Sequence, residues 1–459
     1  MKIGIFVVCL FFQTATYGKE WKSVPLNIYL DQVGRFDPEA ESILAEKLRS
    51  KFLVDLGMPA RTTLLSVQQE YGFNTSEGGD RTSVLSAEVS REFSTTGTNL
   101  SVRRTLTERP DREEDAIDFR LNQSLWRNSF GSNTRQNETA LNRQREALEL
   151  QVVEVYEDYL YEKTNDYVEL QLAKLNFQNA ERQLKQAQEL ERNITNRFRQ
   201  NIASETDLAR AKVQTLNRQE SALVAKSNYE VLAFKLSQMM GDRVDYLVEP
   251  APLNFEDKVS AILAEDLKTT ESRSSRQLRL LELEEESAKI LFDVQKDQTR
   301  PDLNLVAGYS VDDSSRFSSR VNRKEAIVGF RFDIPFGDSA NQARSDLASL
   351  EYTQARLARS RQVRTFEQEV NEAREMIRKN FSQFKLIEER VKLTESIAKD
   401  EERRYLVGRL TLEALLEARE GWFSGQSELL QAKAELNRSV LNWLRLTDQL
   451  ITPQLTSNL

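Results

Sequence analysis

Residues 198–208 read Phe-Arg-Gln-Asn-Ile-Ala-Ser-Glu-Thr-Asp-Leu, and residues 405–415 read Tyr-Leu-Val-Gly-Arg-Leu-Thr-Leu-Glu-Ala-Leu. The two match position for position as one kind of turn. Gly408 suits the left-handed conformation that ends a helix, and Asn201 is the best non-glycine substitute. Three residues on, Ser204 and Thr411 suit the cap of a returning helix. Ser204 with Asp207 forms a capping-box pattern whose acid is Asp rather than Glu. Each segment therefore predicts the sharp tip of a helical hairpin.

Outward from the tips, residues 132–240, 253–300 and 338–407 contain neither Gly nor Pro. They are rich in Ala, Glu, Gln, Leu, Lys and Arg, which favour helix at almost every position. Their apolar residues keep a register. Leu170, Ala173, Phe177, Ala180, Leu184, Ala187, Ile194 and Phe198 step by three and four, with Glu191 the polar interruption. Val363, Phe366, Val370, Ala373, Ile377, Phe384, Ile387, Val391 and Ala398 do the same. A period of 3.5 sustained this far implies a left-handed coiled coil. A helix of about 70 residues is about 100 Å long, beyond the use of a globular core.

Between the helical blocks the period changes to two. Leu65, Val67, Tyr71 and Phe73 alternate with polar residues, as do Ile117, Phe119, Leu121 and Leu125. Leu303, Leu305, Ala307 and Tyr309 follow the pattern, and so do Ala326, Val328, Phe330, Phe332 and Ile334. Each run has about the length a tilted strand needs to cross a bilayer. The expected strands are 62–74, 116–126, 302–310 and 325–335.

The order of helix, strand pair, long helix, tip and return helix occurs twice, which makes the chain an internal duplication. The first repeat spans 19–250 with its helical hairpin at 132–240. The second spans 251–459 with its hairpin at 338–447 and a C-terminal tail.

Composition removes whole classes of chemistry. The 459 residues contain no His and one Cys, Cys9, so His-dependent nucleophiles, His metal sites and disulfides are out. With 64 basic and 72 acidic residues, net −8, a nucleic-acid partner held by a basic face is not expected. Neither is an enzyme: acids follow helix surfaces, and no catalytic, cofactor or metal-ligand set emerges. Mean hydropathy is −0.57, against a polytopic helical membrane protein. Lys2 followed by the apolar run Ile3–Phe12 and the small-residue stretch ending at Gly18 reads as a signal peptide over 1–18. Cys9 lies mid-run, so the protein is expected to be exported and non-lipidated.

The duplicated layout resembles the outer membrane efflux protein (TolC-like) family. So do the strand exit Phe330-Arg-Phe-Asp-Ile-Pro335-Phe336-Gly337, its counterpart Gln123–Gly131, and the tip at 405–411. The resemblance spans 26–447 and implies a mainly α fold with membrane β-strands. It implies a homotrimer sharing a 12-stranded outer-membrane β-barrel, continued by a periplasmic α-barrel. Such proteins are passive exit ducts of tripartite pumps or type I secretion systems. Their partners are outer-membrane lipid, a periplasmic adaptor (membrane fusion) protein, and an inner-membrane transporter of the RND, ABC or MFS class. A periplasmic coiled-coil scaffold or adaptor without a pore is the alternative.

Within that resemblance the tips are expected to contact the adaptor through Asn201, Ile202, Ala203, Ser204, Gly408, Arg409, Leu410 and Thr411. The periplasmic gate falls on Asp207, Tyr405, Glu413 and Glu417, with Tyr405 and Asp207 expected to bond when the tip is closed. Gly131 and Pro335 stand where strand becomes helix and are read as swivels. Residues 76–115 depart from the family pattern. An extra hairpin at 81–108 is expected, and its charges (Glu88, Arg91, Glu92, Arg103, Arg104) suggest an extracellular extension. In the barrel it would raise the trimer from twelve strands to eighteen; twelve is the expectation.

Overall fold

A computed structural model describes residues 20–58, 62–73, 81–110, 112–241, 245–264, 275–316 and 319–450. The signal peptide expected over 1–18, with Cys9, lies outside the described residues, as does the tail from 451. The elements in chain order are β1 (Glu20–Val24), α1 (Leu26–Phe36), α2 (Pro38–Gly57), β2 (Leu64–Phe73), β3 (Arg81–Phe93), β4 (Thr98–Arg109) and β5 (Arg112–Ser124). There follow α3 (Ser132–Arg199), α4 (Glu205–Met239), β6 (Tyr246–Pro250), α5 (Glu256–Ala264) and α6 (Arg276–Gln298). The chain closes with β7 (Asp302–Arg316), β8 (Ser319–Asp333), α7 (Ser339–Leu406) and α8 (Leu412–Leu446). Among the described residues, no helix is long and apolar enough to cross a membrane.

The Gly- and Pro-free stretches became two helices of 68 residues, α3 and α7, each followed by a return helix of 35 residues. Phe366, Val370, Ala373, Ile377, Phe384, Val391 and Ala398 are buried along α7, as the heptad register requires. On α3 the buried positions include Leu170, Ala187 and Ile194, while Phe198 at the end is exposed.

Two compact units form, and they do not coincide with the two repeats. One holds residues 1–43, 156–273 and 369–459; the other holds 44–155 and 274–368. The reason is length: α3 and α7 are too long for one unit, so each repeat contributes to both. In the first unit β1 and β6 pair in parallel. Nearby, the Tyr159 hydroxyl donates to Asp37 at 2.8 Å, and the buried Lys163 ammonium meets Glu39 at 2.9 Å. Burial works against that ammonium, yet Glu39 and Asp37 more than offset it and hold its pKa above the ordinary lysine value.

The second unit contains one antiparallel sheet of six strands in the order β2-β3-β4-β5-β7-β8. The hairpin expected at 81–108 forms, and it joins the four expected strands in one sheet of six rather than standing apart from them. β3 and β4 lie inside the sheet, between β2 and β5, paired along their whole length. Their connecting turn, 94–97, lies at the strand–helix end of the sheet rather than the far end: the Gly97 oxygen accepts from Ser124 N at 3.4 Å. The physical reason is side-chain parity. Register puts Glu88 and Glu92 on the same face as Arg103 and Asp118, while Leu85, Val89, Val102 and Leu106 share the face of Phe119. Glu88, Glu92 and Arg103 thus belong to one face of the strand pair, and the middle of the other face is apolar apart from Arg91 and Arg104.

Candidate functional site

The two tips end alike in backbone terms. Asn201 has φ 58° and Gly408 has φ 73°, both left-handed. Ile202 N donates to Arg197 O at 2.8 Å and Arg409 N donates to Arg404 O at 2.9 Å. Asn201 N to Phe198 O and Gly408 N to Tyr405 O, each 2.9 Å, complete the Schellman pattern in both. The return helices are capped as the sequence indicates. Ser204 Oγ accepts from Asp207 N at 3.1 Å, Ser204 N donates to Asp207 Oδ2 at 3.1 Å, and Thr411 Oγ1 accepts from Ala414 N at 3.4 Å.

Beneath the tips Leu190, Ile194, Ala211, Tyr405, Leu412 and Leu415 form a buried cluster. Ala203 and Leu410 pack against it, so these two of the expected contact residues face inward in part. Asn201, Ile202, Ser204, Gly408, Arg409 and Thr411 are exposed. Leu406 and Val407, not singled out from sequence, add exposed apolar surface at the second tip.

The expected Tyr405–Asp207 bond is not formed within the chain. Asp207 is held by its cap, its Oδ2 also accepting from Ser204 Oγ at 2.8 Å. Tyr405 is buried, with the Arg197 guanidinium 5.0 Å over its ring. Burial lifts the Tyr405 phenol above its usual pKa, against the opposing pull of Arg197. Arg197 Nη1 also donates to the carbonyls of Tyr405 and Leu406, each at 3.4 Å. One cation therefore ties the ends of α3 and α7, where carbonyls lack helical partners. Arg197 is not among the residues singled out from sequence. A basic residue in a last helical turn is the signal, but its partner lies on another helix.

Of the expected gate acids, Glu413 pairs with Arg210 at 2.9 Å. Glu417 is exposed, while Arg419, two residues on in sequence and buried, donates to Glu402 at 2.6 Å.

The strand–helix junctions differ. After β5, Trp126 stacks on Phe332 at 6.2 Å and Arg127 pairs with Asp302 at 2.6 Å. Asn128 (φ 54°), Phe130 (φ 47°) and Gly131 (φ 74°) all take left-handed conformations. Asn128 Oδ1 accepts from Asn133 N at 2.9 Å, and Asp297 Oδ2 accepts from Asn128 N at 2.9 Å and Asn133 Nδ2 at 2.6 Å. The 94–97 turn packs onto this knot. A Cβ on Gly131 would stand 2.6 Å from Ser94 O and 2.7 Å from Gly97 N. Arg135 donates to Thr95 O and, at 2.5 Å, to Phe130 O, while Gln123 Nε2 donates to Thr96 O at 2.8 Å. After β8 there is no such knot. Pro335 is followed by Phe336, 90% exposed, and by Gly337 (φ 71°), whose missing Cβ would meet nothing within 4 Å. Asp338 then caps α7 by accepting from Asn341 N at 3.1 Å.

Residues 271–447 match the family model of the outer membrane efflux protein. Comparison with curated protein sequences gives no match. Among solved structures the chain is similar to the outer membrane protein VceC of Vibrio cholerae. The TM-score is 0.69 at 13% identity, covering 92% of this chain and 95% of that one. It is also similar to the outer-membrane channel OprN (TM-score 0.69, 17% identity, 92% and 89% covered). The Campylobacter jejuni CmeC outer membrane channel is a further neighbour (TM-score 0.67, 14% identity, 94% and 88% covered). The fold is that of outer-membrane channels over nearly the full length of each.

Proposed function

We propose that this protein is the outer-membrane exit duct of a tripartite efflux pump or type I secretion system. The observation that carries the reading is the sheet: six antiparallel strands, apolar on one face from edge to edge, joined directly to helices of 68 residues. A sheet with one face suited to lipid and one to water fits the wall of a membrane barrel. Exposed stripes on the return and long helices favour assembly of copies, through Val213, Leu216, Leu223 and Val231 on α4 and Leu386, Leu393 and Ile397 on α7. Three copies would enclose a passive channel in the outer membrane with a helical extension in the periplasm. The tips, with Ile202, Leu406, Val407 and Arg409 outermost in chemistry and exposure, would meet the adaptor. Glu413 and Glu417 would ring the periplasmic gate, and the adaptor would link the duct to an RND, ABC or MFS transporter. A scaffold without a pore explains the helices and leaves the amphipathic sheet unexplained.

The test is reconstitution. The purified full-length protein should migrate heat-modifiably from the outer-membrane fraction, cross-link as a trimer, and conduct in planar bilayers. Arg197→Ala, which frees the end of α7, should raise single-channel conductance severalfold. A protein that stays in the soluble periplasmic fraction and conducts nothing would overturn the reading.

A further inference from the structure

Both edges of the six-stranded sheet are open. β2 is exposed at all ten residues of Leu64–Phe73, and β8 exposes Val328, Phe330 and Phe332 at 76%, 71% and 51%. In hydrocarbon an unpaired edge leaves a row of backbone groups without partners, at several kcal/mol each. Six strands cannot close on themselves, since membrane barrels begin at about eight. The partner for these edges must be another strand.

We infer that three copies close a single eighteen-stranded barrel, with β8 of each copy pairing antiparallel with β2 of the next. The inference rests on the duct reading above and gives it a specific wall. Every neighbouring pair in the sheet is antiparallel, and the number of strands is even. β2 and β8 therefore run in opposite directions, and a head-to-tail joint continues the alternation without a parallel seam.

β3 and β4 belong to the wall by the same parity as the other four strands. Leu65, Val89, Val102, Phe119, Tyr309 and Ala326 form one row straight across the sheet. On the opposite face Glu88, Arg103 and Asp118 form a polar row, with Arg103 and Glu88 2.6 Å apart. Arg81, Arg91 and Arg104 fall on the apolar face, Arg81 with Glu108 near its far end. Arg104 pairs with Asp115 at 2.9 Å, and Arg91 lies over the Phe93 ring at 5.1 Å. A hairpin standing outside the membrane would need no apolar face aligned with its neighbours.

Matching the apolar windows sets the seam. The lipid-side residues run from Leu65 to Phe73 on the β2 edge and from Ala326 to Ile334 on the β8 edge. Laid antiparallel, these windows bring Val328 opposite Tyr71 and Phe332 opposite Val67 of the next copy. Barrel diameter grows roughly linearly with strand number, so this mouth is about half again as wide as one of twelve strands.

The experiment uses paired cysteines in the full-length protein in native outer membrane. Val328→Cys with Tyr71→Cys should give disulfide-linked dimers and trimers on non-reducing gels, while Val89→Cys with Val102→Cys should link only within a chain. Val102→Cys alone should react with a lipid-soluble maleimide and resist a membrane-impermeant one. The inference fails if trimers conduct normally while Val102→Cys is labelled by the impermeant reagent. It fails equally if Val328→Cys links to none of Gln69→Cys, Tyr71→Cys or Phe73→Cys. Loss of both trimer and conductance in the wild-type protein would instead remove the duct reading itself.

Discussion

The two strand–helix junctions do the same job with opposite means. After β5 the chain is knotted: three left-handed residues within 128–131, Asp297 accepting two donors, and the 94–97 turn wedged against Gly131. After β8 the chain passes from Asp333 to α7 through Pro335 and Gly337 with open space around the glycine. A duplicated sequence thus gives matching tips and unmatched junctions. The difference follows from the extra hairpin, whose turn falls at the first junction and has no counterpart at the second. One junction is braced by contacts from a distant turn; the other is held locally, by Pro335 and by bonds within 337–341.

The largest test of that contrast is a pair of glycines. Gly131→Ala puts a Cβ against backbone atoms on both sides and also carries the left-handed strain, so we expect a loss of about 3 kcal/mol or more. Gly337→Ala has the strain without the clash and should cost about 1–2 kcal/mol. Urea unfolding of the purified protein measures both, and equal losses would break the contrast. Next in size is Arg135→Ala, which releases the turn from Thr95 and Phe130. Lost hydrogen bonds from a charged donor suggest about 1–2 kcal/mol and faster proteolysis within 94–97. Asn341→Ala at the second junction should leave that proteolysis unchanged. The smallest effect lies at the tips, where the repeats agree. Asn201→Gly relieves a left-handed Asn and should be neutral or stabilise by a few tenths of a kcal/mol, while Gly408→Ala should cost about 1 kcal/mol. Thermal melts resolve the opposite signs.

Much of this fold was legible because it is periodic. The absence of Gly and Pro from 132–240 and 338–407 marks the first hairpin and the long arm of the second, and Ser204, Asp207 and Thr411 mark the caps of the return helices. The hairpin at 81–108 is legible as a hairpin, but its place within the sheet is not, because that place shows only once its charges are sorted by the parity of paired strands. Glu88, Glu92 and Arg103 occupy one face, and Arg104 is answered by Asp115, which lies outside the hairpin. Tertiary partners of that kind leave no local mark. The same limit hid Arg197, whose partners at Tyr405 and Leu406 are about two hundred positions away in sequence. It also hid the parallel pairing of β1 with β6, since five-residue strands carry little period.

The hairpin β3–β4 sits in the sheet in a way that disturbs nothing downstream. Two strands inserted between β2 and β5 leave those strands pointing as they would without the insertion, so α2 and α3 still join the sheet at the same end. A single extra strand would reverse β2 or β5 and put one of these helices at the opposite end of the sheet. In the barrel inferred above, the wall therefore widens only by pairs of strands, and its bore can change without altering the number of helices that hang from it.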